Sequence, residues 1–103
     1  MIKITLLEIL VNEFLSIVES LEQSEDSDKI IVDKEYFKKL LEKNKFLTFP
    51  KKVKIYKDLN FIIYSGTTYT LPVKDDKKTI RKVVVNLNTY RTLRHLYDYE
   101  FNL

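Results

Sequence analysis

The chain has no cysteine, no alanine and no tryptophan, and only one glycine (Gly66), one histidine (His95) and two prolines in 103 residues. Most of these scarcities close a class of chemistry. Without cysteine there is no disulfide framework, no thiolate metal ligand and no cysteine nucleophile, a usage that fits an intracellular protein. A lone glycine cannot build a glycine-rich phosphate cradle, so Walker and dinucleotide-binding motifs are excluded, and no glycine-rich loop supplies an oxyanion hole. No stretch reaches about 18 uninterrupted apolar residues, so no membrane span is expected. The apolar N-terminus does not read as an export signal: Lys3 is its only base before Glu8, Asn12 and Glu13 interrupt it, and no small-residue cleavage site follows.

What remains is apolar enough to fold. Hydrophobic residues make up 45% and aromatics 13%, above the level at which chains fail to collapse, and the length bounds a single domain. Fifteen lysines stand against three arginines, with Ile, Tyr and Asn plentiful. This usage reads as an AT-rich coding sequence, of the kind common in viruses and mobile elements. The charge is divided along the chain. Residues 1–29 carry seven acids against two bases, a net of −5, and residues 30–103 carry sixteen bases against eight acids, a net of +8. Such asymmetry points to a polyanion as partner for one part of the chain.

The pattern predicts an α+β domain over residues 1–103: an N-terminal amphipathic helix, a second helix, an antiparallel three- to four-stranded β-meander and a C-terminal helix. In the first helix, 4–22, Ile4, Leu7, Val11, Phe14, Val18 and Leu21 recur at spacings of three and four, and Leu6, Leu10, Leu15 and Ile17 widen the stripe. Glu8, Glu13, Glu19 and Glu22 are expected on its outer surface. An acidic linker, 23–29, leads to the short apolar run Ile30–Val32. Asp33 then caps a helix over 34–44 with Tyr36, Phe37, Leu40 and Leu41 inward, and Pro50 stops its continuation. From 51 to 87 the period changes to two. Val53 and Ile55 alternate with lysines, Asp58–Asn60 and Ser65–Thr67 read as turns, and Pro72 demotes its strand to an edge. Val83-Val84-Val85 suits a central strand buried on both faces. Asn88 is placed to cap the last helix, 89–100, with Tyr90, Leu93, Leu96 and Tyr97 inward.

No catalytic, metal or cofactor constellation stands out. His95 and Asp98 share one helical face, but no nucleophile is tied to them, and a surface pair is the simpler reading. Asp75-Asp76-Lys77 has the outline of a nuclease carboxylate triplet, yet it falls in a lysine-rich turn. The expectation is a non-enzyme without cofactor or metal. A winged helix is disfavoured, because residues 45–52 lead from the second helix into a strand and leave no recognition helix.

Nucleic-acid binding draws the most support. Lys52, Lys54, Lys57, Lys77, Lys78, Arg81, Lys82, Arg91 and Arg94 are the expected phosphate contacts, and Tyr56 and Tyr69 the stacking rings. Arg91, Arg94 and His95 offer a second route, as a helix entering a major groove. The alternative is a protein–protein interaction module, such as a viral inhibitor or assembly adaptor, acting through the acidic amphipathic first helix. Leu6, Leu10, Phe14 and Ile17 are that helix's candidate surface for a protein partner or a homodimer.

Overall fold

A computed structural model describes residues 5–21 and 27–101, without the side chains of Asp75, Tyr99, Glu100 and Phe101. Ile4 and Glu22 of the expected first helix, and 23–26 of the acidic linker, lie outside the described residues. The fold is mixed α+β. Helix α1 (Leu6–Glu19) opens at Thr5, whose hydroxyl oxygen accepts the Glu8 N–H at 3.2 Å, and closes at Ser20, whose hydroxyl donates to the Ile17 carbonyl at 2.7 Å. Its wide apolar face is buried through Leu10, Val11, Phe14, Leu15, Ile17 and Val18. Strand β1 (Lys29–Val32) follows, then helix α2 (Lys34–Glu42), which buries Phe37, Leu40 and Leu41. Asp33 holds the N-cap position of α2, but its carboxylate accepts from Lys82 Nζ at 2.9 Å and makes no cap hydrogen bond.

The largest departure from the sequence reading comes next. The expected strand over 51–57 is a helix, α3 (Phe49–Asp58). Pro50 sits in its first turn, where the missing N–H costs nothing, so this proline opens a helix and does not end one. The apparent alternation of Val53 and Ile55 with lysines hides the spacing that matters: Lys52, Val53 and Tyr56 are buried and Phe49 half-buried. Asp58–Asn60 is the C-terminal cap of this helix. Asn60 takes a left-handed conformation (φ 59°), its N–H donates to the Lys57 carbonyl at 3.0 Å, and the Phe61 N–H donates to the Tyr56 carbonyl at 2.9 Å. These are the two bonds of a Schellman motif, and the Tyr56–Phe61 ring contact at 5.1 Å is its hydrophobic seal.

Strand β2 (Ile62–Ile63) is short; a loop over 64–70 leads to β3 (Leu71–Asp75), which forms a hairpin with β4 (Lys78–Asn86). The antiparallel sheet has the order β1-β4-β2, with β3 on the first half of β4. Registers are Val32↔Val83, Ile62↔Val85 and Leu71↔Lys82. Val83, Val84 and Val85 are all buried, as the apolar run predicts. Helix α4 (Leu87–Phe101) follows without a break. Its cap is Asn86, whose side-chain oxygen accepts the N–H groups of Asn88 and Thr89 at 3.1 and 3.3 Å, two residues before the expected Asn88. Leu96 is 54% exposed rather than inward.

One core joins these elements. Phe14 of α1 stacks on Phe61 at 4.1 Å, and Tyr56 meets Phe14 and Phe37 edge to face at 6.0 and 6.2 Å. With α3 in place, the element order is helix, strand, helix, helix, then strands closing as a hairpin whose last member returns between β1 and β2. The segment after α2 that the sequence reading ran directly into a strand is the helix α3. Among the described residues no helix is long and apolar enough to cross a membrane.

Candidate nucleic-acid interface

The expected contact residues separate into groups with different surroundings. Lys52 and Tyr56 leave the surface altogether, each with 0% of its area exposed. Lys52 Nζ donates to Glu13 Oε2 at 2.6 Å, to the Leu41 carbonyl at 2.7 Å and to the Asn44 carbonyl, which uses all three ammonium protons. The Tyr56 hydroxyl donates to Glu13 Oε1 at 2.6 Å. Burial first, then the hydrogen bond to Glu13 and the charge of that carboxylate, push the Tyr56 pKa far above the usual tyrosine range, so the ring stays neutral. Glu13, expected on the outer surface of α1, is the buried acceptor of this lock between α1 and α3. The Phe46 ring lies 4.2 Å from Lys52 Nζ and closes the site.

A second group is engaged on the surface, Lys82 and Arg94 by carboxylates and Arg91 by a carbonyl. Lys82 pairs with Asp33 at 2.9 Å. Arg94 meets Glu19 at 3.3 Å and Asp98 at 3.9 Å, so Asp98 serves Arg94 and not His95. Arg91 donates to the Ser27 carbonyl at 2.8 Å. The arginines of α4 thus contact α1 and the chain just before β1, with the Arg94 side chain still 49% exposed. Tyr69 is half-buried, its ring edge-on to Phe49 at 5.7 Å; burial, then the charge of Glu35, raise its pKa.

The remaining cations are exposed. Lys51 and Lys54 lie on the outer arc of α3, opposite Lys52, Val53 and Tyr56, and neither has an ion pair among the described residues. Asp58 closes that arc at its C-terminal end, which leaves the first two turns as its basic part. Lys74, Lys77 and Lys78 are exposed on the β3–β4 hairpin, with Asp76 and Lys77 both left-handed at the turn (φ 50° and 73°). The Asp75-Asp76-Lys77 triplet thus straddles a tight hairpin turn. Lys57 and Arg81 stand apart, both bonded to the loop over 64–70: Lys57 Nζ donates to the Thr67 carbonyl at 3.2 Å, and Arg81 to the Thr68 hydroxyl at 2.9 Å.

The expected partner surface of α1 is corrected in the same way. Leu10, Phe14 and Ile17 are 2%, 1% and 6% exposed and belong to the protein's own core; Leu6, at 48%, is the member that remains outside. Most of the apolar stripe is thus taken into the protein's own core, while Leu6, Leu7 and Ile9 in the first turn of α1 stay exposed. Helix α3 itself is what sequence reasoning missed. Thr48 before it, Pro50 in its first turn and Asn60 after it are its boundary signals. No protein-family model matches this chain, and no curated protein sequence matches it.

Proposed function

We propose that this protein binds duplex DNA without catalysis, with α3 lying in the major groove and the β3–β4 hairpin on the flanking backbone. The observation that supports it most is the outer arc of α3: a helix in the second position of a helix-turn-helix, presenting Lys51 and Lys54, neither in an ion pair among the described residues. A B-form major groove, about 12 Å wide, admits such a helix. Lys74, Lys77 and Lys78 supply phosphate contacts at the hairpin. Lysine contacts to phosphates position a protein but read no bases, so weak sequence preference is expected. The lysine-rich, cysteine-free composition supports an intracellular setting, in a virus or mobile element.

The test is a salt titration of binding to a 20-base-pair duplex. If four to six phosphates are neutralised, log K should fall against log salt with a slope of roughly −4 to −5. No binding at about 50 mM salt with micromolar protein would sink the proposal.

A further inference from the structure

Among the surface cations that have a partner, two kinds of partner occur. Lys38, Lys82 and Arg94 are held by carboxylates, at 3.9, 2.9 and 3.3 Å, and their charge is cancelled where it sits. Lys57 and Arg81 are held by neutral acceptors. Arg81 Nε donates to Thr70 Oγ1 at 2.9 Å, and its Nη2 donates to Thr68 Oγ1 at 2.9 Å and to the Thr70 carbonyl at 2.6 Å. Three bonds fix the guanidinium on one side, and its other terminal nitrogen, Nη1, has no partner among the described residues. Lys57 reaches the same loop from the end of α3, donating to the Thr67 carbonyl and lying 4.9 Å from the centre of the Tyr64 ring. Neither cation is in an ion pair with a carboxylate among the described residues.

The loop itself is built as a rigid seat. Ser65 and Thr68 bridge each other across a turn, and Gly66 (φ 64°) stands at its apex with nothing within 4 Å of where a side chain would project. The Thr68 hydroxyl donates within the loop, to the Ser65 or Thr70 carbonyl, while it accepts from Arg81. Thr70 is buried and anchors the base. Two cations from different elements are thus pinned to adjacent residues, 67 and 68, of a loop whose apex is bare. Their rotamer freedom is already reduced and their charge is uncompensated, the condition under which a cation binds an anion at the least entropic cost.

We infer that the loop over 64–70, with Lys57 and Arg81, is a preformed seat for the phosphodiester backbone of bound DNA, placed where the end of α3 meets the strand leading into the hairpin. It deepens the DNA-binding proposal and rests on it. The acceptors that orient the two cations are neutral, so a phosphate meets no carboxylate competing for them. The Nη1 group of Arg81 is left to reach a phosphate, and Lys57, tied to the same loop, adds a point charge.

The experiment compares the salt dependence of duplex binding for wild type, Arg81→Gln and Lys57→Gln, with Lys51→Gln and Lys77→Gln as variants outside the seat. Thermal unfolding of each variant checks that it is folded. Loss of one directed phosphate contact should make the slope shallower by about 0.9 for each seat variant, and the double variant should lose about twice that. A merely structural Arg81 would weaken binding with the slope unchanged, and that result would overturn the seat. The seat also falls, with the DNA-binding reading left standing, if Lys51→Gln and Lys77→Gln change the slope while the seat variants do not. Absence of wild-type binding overturns both.

Discussion

Lys52 shows how far the worth of a residue depends on what the fold brings to it. A buried ammonium is tolerated here because Glu13 and two carbonyls take all three of its protons. Lys52→Met leaves the Glu13 carboxylate buried with Tyr56 as its one remaining donor, and should cost about 3–5 kcal/mol in urea unfolding, a large part of the total stability of a domain this size. Glu13→Gln together with Lys52→Met removes both charges and keeps an acceptor for Tyr56, so it should recover part of that loss. Tyr56 adds a pH signature. Its folded pKa lies above that of an unfolded tyrosine, about 10. Below that pH both states hold the proton and stability is unaffected. Above it the unfolded chain releases the proton and the fold does not, so stability falls by up to about 1.4 kcal/mol per pH unit. Tyr56→Phe should begin less stable, having lost the bond to Glu13, yet decline less steeply above pH 10. Equal alkaline slopes for the two proteins would show that Tyr56 does not carry this dependence.

Among the elements, the β3–β4 hairpin sets stability against binding at one position. Lys77 is left-handed at φ 73°, a conformation that costs a side-chain-bearing residue about 1 kcal/mol and glycine nothing. Lys77→Gly should therefore stabilise the fold by about 0.5–1 kcal/mol, raising the melting temperature, while weakening DNA binding because an exposed cation is lost. A variant that moved both quantities in the same direction would contradict this account. Elements whose burial follows their own period were legible in the sequence. The α1 stripe and the Val83–Val85 run are cases, since every buried position there except Glu13 is apolar. Helix α3 was not legible, because a charged residue occupies one of its core positions and makes 51–57 look like an alternating strand. What makes that charge acceptable is Glu13, 39 residues earlier, and no local window contains both. The interface was obscured for the same reason. Lys54, Lys77, Lys82 and Lys52 are identical as letters, and the carboxylates or carbonyls that separate them come from other elements.

Over the whole molecule, the charge split of the sequence is partly cancelled by folding. Glu13 takes Lys52 out of the basic set, and Glu19 takes Arg94. Asp33, from within the basic region, takes Lys82. Among the described residues, basic side chains without an ion pair lie on the outer arc of α3, on the hairpin, at the loop between β2 and β3, and also along and just after α2 (Lys34, Lys39, Lys43 and Lys45), which is how a net charge of only +3 can leave local excesses for a polyanion.

The order of synthesis gives β4 a further consequence. Strands β1, β2 and β3 all pair with it, and Lys29 finds its partner only at Asn86. A nascent chain that has emerged as far as the hairpin turn holds α1, α2 and α3, with the rings of Phe14, Phe37, Tyr56 and Phe61 available to cluster, but no completed sheet on which to lay them. Closure waits for residues 78–86, so the sheet forms in one late step when β4 emerges and not progressively as β1, β2 and β3 appear.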